Sequence, residues 1–208
     1  MIESTVFITY VSIVFGFVFI PGPATLLTVA LASSSGTRVG LATGAGIAVG
    51  DLFHTLMAVI GVSAIIAASA TLFSIIKFIG AGYLLYLGIR TLLQKTHTFG
   101  GMNLPLVNAK SAFIRAVITE VFNPKTALFF LAFLPQFIRT ETGSPALQLA
   151  ELGITFVALG LLSTAVFSLS AGWIGEFMRK RPSALKLQGK ITGLIYCGLG
   201  IRIVMQGK

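Results

Sequence analysis

Very few side chains in this sequence can carry charge or exchange a proton, and several of them stand inside long apolar stretches. Asp51 is the only aspartate among 208 residues. His54 follows three positions later, which on a helix puts both on one face. Lys77, Glu120 and Lys125 are further charges in apolar surroundings. A carboxylate can take up a proton in one environment and release it in another, or hold an ammonium group. A neighbouring imidazole can relay that proton or simply hold the carboxylate, and a lysine can act as counter-charge or bind a carboxylate. Each group also has a plainer use. His54 can be a core histidine bonded to a neighbour, Asp51 a structural partner for a lysine, and Glu120 and Lys125 a pair across Pro124.

Other chemistries fit poorly. Cys197 is the only cysteine and there are two histidines, too few and too scattered for the clustered ligands of a metal site. A paired-aspartate protease needs two aspartates. Gly61-Val62-Ser63 is followed by a single later histidine, His97, in a polar stretch. Gly44-Ala45-Gly46 lacks the spacing and preceding strand of a dinucleotide loop. No catalytic residue, metal or cofactor is expected, and the chain does not read as an enzyme.

The elements that must position these residues follow from composition. Hydrophobic residues make up 55% and charged residues 10%, against roughly 25% charged in a soluble domain. So few charges cannot solvate a globule of this size, which leaves an all-α membrane protein. Six apolar runs are expected to be transmembrane helices: 6–30, 39–66, 70–93, 111–138, 146–173 and 187–206, with five as the alternative if the tight gap near 67–69 does not separate two helices. They form one transporter-sized membrane domain, 1–208. Net charge is +9, but the basic residues cluster between runs, so they orient the chain and do not point to nucleic acid. Ten of the fifteen Lys and Arg fall on one side, three (Arg139, Arg202, Lys208) on the other, and Lys77 and Lys125 lie inside runs. The positive-inside rule then puts both termini outside.

The halves 1–100 and 101–208 resemble each other. Val18-Phe19-Ile20-Pro21 matches Val121-Phe122-Asn123-Pro124, Lys77-Phe78-Ile79-Gly80 matches Lys190-Ile191-Thr192-Gly193, and Gly88-Ile89-Arg90 matches Gly200-Ile201-Arg202. Three helices per half force the halves into opposite orientations, the inverted-repeat plan of many transporters. Helices 1 and 4 are expected to be broken, at Pro21-Gly22-Pro23 and at Asn123-Pro124-Lys125, because proline removes a donor and clashes with the preceding turn. Broken backbone inside a membrane is tolerated where it is buried or lines a wet cavity. The two breaks should therefore face one midplane cavity. Gly40, Gly44, Gly46 and Gly50 form two small-xxx-small pairs that let helices approach closely.

These pieces carry a family resemblance. Pro21-Gly22-Pro23, Gly46 to Gly50-Asp51, Lys77, Gly80-Ala81-Gly82-Tyr83-Leu84, Gly88, Asn123-Pro124-Lys125, Phe129-Phe130, Pro135-Gln136-Phe137 and a Gly-rich last helix occur in order over nearly the whole chain. In these the sequence resembles the lysine-exporter and homoserine/threonine-efflux family (LysE/RhtB). The resemblance implies an integral protein of the bacterial inner membrane that exports amino acids in exchange for protons, with these motifs along the route. Few acidic residues lie near the membrane, which favours a neutral substrate of the homoserine or threonine kind. The alternative is another small solute, or a metal cation carried by a member of the same superfamily. The substrate and proton pathway is expected to use Pro21, Gly22, Pro23, Asp51, His54, Lys77, Asn123, Pro124 and Lys125. Expected partners are a small amino acid, protons and membrane lipids, without nucleic acid; homodimerisation is left open.

Overall fold

The structure, a computed structural model, describes residues 2–19, 22–93, 106–139, 141, 143–174 and 182–205. All regular structure among them is helical. Helix α1 (Ser4–Phe19) and α2 (Pro23–Ser35) occupy the first apolar run and meet at a 49° bend. Gly22 caps α2 in an extended conformation, and Pro23 starts it, where a missing N–H costs nothing. Gly36 alone turns the chain into α3 (Thr37–Met57), at φ 94°, a conformation that favours glycine. A π-helical turn, Ala58–Val62, carries α3 on into α4 (Ser63–Ala68). Extended Ser69 then ends α4, and its Oγ accepts from the Leu72 N–H at 3.2 Å to cap α5 (Ala70–Leu93). The uncharged gap near 67–69 is thus a real helix boundary.

The second half begins with α6 (Ala109–Val121), capped by the Asn108 side chain. It bends by 43° into α7 (Pro124–Leu128), which continues through a π turn, Phe129–Phe133, and a 3₁₀ turn, Leu134–Phe137. Helices α8 (Pro145–Leu169) and α9 (Pro182–Met205) follow. Among the described residues, three helices are long and apolar enough to cross a membrane, Thr37–Ile65, Thr71–Leu93 and Pro145–Leu169, and counting each bent pair as one span makes up to five. The expected sixth run, 187–206, lies in α9, which has the length at 24 residues but carries Lys186, Lys190 and Arg202. Ile79, Ile154, Leu162 and Leu194 point outward. A helical bundle coated in such side chains is solvated by lipid, and the protein is a multi-spanning α-helical membrane protein.

Glycines decide how closely the helices approach. An added Cβ at Gly44 would meet Thr164 on α8, and one at Gly46 the Phe113 carbonyl on α6. Helix α3 is therefore wedged between α6 and α8. Helices α5 and α9 cross in backbone contact: a Cβ on Gly88 would lie 2.8 Å from the Gly193 carbonyl, and one on Gly200 would lie 2.9 Å from that of Ala81. Between these layers sits an aromatic core of Tyr10, Phe17, Phe129, Phe130, Phe133, Phe137 and Phe156. Glu3 pairs with Arg139 at 3.4 Å at one end of the bundle. At the other, Ser33 Oγ donates to the Ala171 carbonyl (3.0 Å) and the Val107 N–H to Ser35 Oγ (3.1 Å). The expected polar loop around His97 and the basic cluster Arg179-Lys180-Arg181 lie outside the described residues.

Candidate functional site

The breaks create the site, and proline chemistry explains how. In α1 the carbonyl of Phe17 would normally accept from the N–H of residue 21, which is proline and has none. Lys125 Nζ, from the other break, donates to that carbonyl at 3.3 Å and lies 4.1 Å from the centre of the Phe17 ring. The neighbouring Val18 carbonyl accepts from Ser163 Oγ of α8 at 2.8 Å. In α6 the equivalent loss falls on the Glu120 carbonyl, because Pro124 has no N–H. The Asn123 N–H at 3.0 Å and His54 Nε2 at 2.9 Å take its place. A carbonyl can only accept, so His54 carries its proton on Nε2 in this bond. Its ring also stacks on Phe130, with centroids 5.9 Å apart.

The second break organises its own side chains. Asn123 caps α7, its Oδ1 accepting from the Lys125 N–H at 3.1 Å. Its Nδ2 lies 3.1 Å from both carboxyl oxygens of Glu120, and Thr126 Oγ1 also bonds Glu120 Oε1. Glu120 is therefore a fixed, fully bonded carboxyl, 2% exposed. Across from it stands Asp51 on α3, also 2% exposed. The two meet because position 50 is glycine: a Cβ there would come within 2.5 Å of Glu120 Cβ. On its other flank, Asp51 Oδ2 would be 3.3 Å from a Cβ on Gly160 of α8. Asp51 Oδ1 is buried and has no hydrogen-bond partner. Such an acceptor is costly unless a donor reaches it.

These groups enclose one cavity of about 50 Å³, lined by Phe17, Gly22, Thr25, Asp51, Glu120, Asn123 and Lys125 with residues of α8. That is room for a few water molecules. A Cβ on Gly22 would lie 3.4 Å from Lys125 Cδ and Nζ, so the two breaks touch. Ala24 and Thr25, in the first turn of α2, also face the cavity. No side chain caps that turn, leaving backbone N–H groups and the positive end of a helix dipole there.

Of the expected pathway residues, Gly22, Asp51, Asn123 and Lys125 line this cavity together. Pro124 starts α7 beside them. His54 stands behind Glu120, bonded to its main chain and not to Asp51. Lys77 is on α5, its Nζ 6.0 Å from the Phe78 ring, and does not line the cavity. Pro21 lies outside the described residues, as does the Pro23 side chain. Glu120 is the cavity group that the sequence left as one half of an ion pair; its position five residues before Lys125 was the available signal. The two π turns had no signal in the sequence. Among the described residues, no three His, Cys, Asp or Glu side chains are placed to hold a metal ion.

Known proteins resemble this chain over nearly its whole length. The LysE type translocator family model matches residues 15–207. A leucine efflux protein of Klebsiella pneumoniae is 27% identical over 200 residues, covering 94% of each chain. One from an Enterobacter strain is 29% identical over 95% of this chain and 94% of its own. An uncharacterised membrane protein of Bacillus subtilis, YrhP, is 31% identical over 94% of this chain and 96% of its own. No solved structure matches. Matched over nearly its whole length, the chain belongs to the LysE type translocators: it is an integral inner-membrane efflux protein for amino acids or similar small molecules, and not an enzyme.

Proposed function

We propose that the protein exports a small neutral amino acid in exchange for protons, and that the cavity between the two breaks is its binding site. The observation that carries this is the buried, unpartnered Oδ1 of Asp51 in a cavity that also holds Lys125 and the open first turn of α2. The substrate's ammonium bonds Asp51. Its carboxylate bonds the N–H groups near Ala24 and Thr25 together with Lys125. A proton on Asp51 removes the negative charge that holds the ammonium. Proton and substrate therefore exclude each other at one carboxyl, and that competition is the coupling. The names of the leucine efflux relatives support an aliphatic neutral substrate, as does the scarcity of acidic side chains.

Alternating access in this reading comes from two inverted three-helix repeats, with six crossings and both termini outside. The contacts at the two ends of the bundle support this, because residues 3 and 139 share one end and 35, 107 and 171 the other. The α5–α9 crossing supports it too: exchanging Gly88 with Gly200 and Gly193 with its counterpart near residue 80 maps one close contact onto the other. A cavity of this size must widen to admit an amino acid, which rocking of the repeats supplies.

Purified protein in proteoliposomes with an imposed pH gradient tests the reading. L-leucine and L-threonine should be driven against their gradients, while isoamylamine and leucinamide, which lack the carboxylate, should not. Equal transport of the amines would refute the zwitterion site. Uphill transport that ignores the pH gradient would refute proton coupling.

A further inference from the structure

A second polar pocket lies at the end of the bundle that Thr5 and Arg202 share. Its volume is about 250 Å³, and its walls include Thr5, Thr9, Gln136, Phe137, Arg139 and Arg202. This is the end poor in Lys and Arg, so the positive-inside rule gives no reason for two arginines there. Arg139 is held by Glu3 at 3.4 Å. The Arg202 guanidinium lies 5.9 Å from the centre of the Phe137 ring. Guanidinium groups bind carboxylates through paired N–H donors.

Gln136 supplies the opposite polarity. Its Nε2 donates to the Ala132 carbonyl at 2.8 Å, which fixes the orientation of the amide. Its Oε1 is then buried without a hydrogen-bond partner. Thr9 Oγ1 spends its proton on the Thr5 carbonyl at 2.8 Å and keeps lone pairs for another donor. An ammonium group satisfies such acceptors. The pocket is also connected to the central cavity by a file of rings. Phe17 lines the cavity and Phe137 the outer pocket. Between them run Phe17–Phe129, Phe129–Phe133 and Phe133–Phe137, with centroids 4.5, 5.0 and 5.1 Å apart.

We infer that this pocket is a second, outward-side site for the zwitterionic amino acid, with its carboxylate on Arg202 and Arg139 and its ammonium on Gln136 Oε1. The substrate enters it when the file of phenylalanines parts. The inference rests on the proposed export of a neutral amino acid.

The test is exchange of radiolabelled L-leucine in proteoliposomes, with half-saturation measured separately from each face and a C-terminal tag reporting orientation. In Arg202→Gln and in Gln136→Leu, half-saturation from the terminus-bearing face should rise about tenfold, the loss of one hydrogen bond to a charged group. From the opposite face it should stay within about twofold of wild type, since the central cavity is untouched. Arg202→Lys should recover part of the loss. Gln136→Leu changes no charge, so it remains informative if Arg202→Gln fails to fold. Unchanged half-saturation at both faces in both variants overturns the inference while leaving the export reading intact. Equal loss at both faces also overturns it, because that is the mark of a structural role. A wild-type protein that exchanges no amino acid overturns the export reading and this inference together.

Discussion

The two breaks stand in matching stretches of sequence, Val18-Phe19-Ile20-Pro21 and Val121-Phe122-Asn123-Pro124, yet they are finished by opposite means. The first is chemically bare. Its residues are Pro21, Gly22 and Pro23, and the carbonyls of Phe17 and Val18 beside it are satisfied by visitors, Lys125 and Ser163. The second supplies its own polar side chains, with Asn123 bonding Glu120, Thr126 joining them and Lys125 reaching outward. The first break contributes accessible backbone and the second contributes charged and polar side chains. The two breaks thus build an asymmetric cavity, with uncapped backbone on one side and charged side chains on the other.

If that division holds, the largest effect should come from the one side chain that spans both breaks. Lys125→Met removes the donor to Phe17 and leaves two buried carboxyls without their cation. Loss of one partner from a buried charge cluster typically costs about 3–5 kcal/mol. Transport should vanish and the melting temperature in detergent should fall, with Glu120→Gln added to Lys125→Met restoring much of the fold but not the transport. A Lys125→Met protein with wild-type melting and export would separate the breaks and dissolve the comparison.

Asp51→Asn comes next. It keeps shape and burial but cannot exchange a proton. Efflux driven by a pH gradient should be lost, and substrate-for-substrate exchange should need about tenfold more substrate, the level expected for loss of a charge-assisted contact. Gradient-driven efflux at the wild-type rate would transfer the proton role to Glu120.

Gly50→Val probes how the second half delivers its carboxyl to the first. The added side chain would collide with Glu120, and overpacking of this kind costs about 1–3 kcal/mol. Thermal unfolding should register it, whereas Gly22→Ala, whose Cβ meets Lys125 only at 3.4 Å, should melt near wild type. Equal stability of the two would mean that α3 and α6 are less tightly coupled than their packing indicates.

The smallest effects belong to the hydrogen bonds that finish each break. His54→Ala and Ser163→Ala should each cost about 1–2 kcal/mol, the penalty for leaving a buried carbonyl short of a donor. His54→Asn should recover part of its loss if the amide can donate to the Glu120 carbonyl. The dependence of export on pH should be the same with and without the imidazole. A changed pH profile in His54→Ala would show that His54 relays protons as well as bracing the second break.

Several features were legible because a single residue type enforces them. Proline lacks an N–H wherever it stands, so the interruptions of the first and fourth runs could be read directly. Runs of apolar residues long enough for a bilayer named the class of protein, and the start of the third run at residue 70 was read to the residue because Ser69 separates it from the helix before. The glycines of α3 announced close packing. What they packed against was not readable: Gly44 faces Thr164, while Gly46 and Gly50 face α6, and only the crossing of three helices decides that. Lys77 and Lys125 looked alike in sequence, each a lysine in an apolar run. The fold put one in the cavity and the other on α5 away from it. His54 was expected beside Asp51 on a shared face, and it does share the face; its bond goes instead to a main-chain carbonyl freed by a proline 70 positions away. Sequence by itself determined where the backbone must break and that a lone buried aspartate needs a partner, since both follow from local covalent chemistry and the cost of charge in an apolar medium. Which donor meets which orphaned acceptor was decided by tertiary structure alone, because residues distant in the chain become neighbours only when the helices pack.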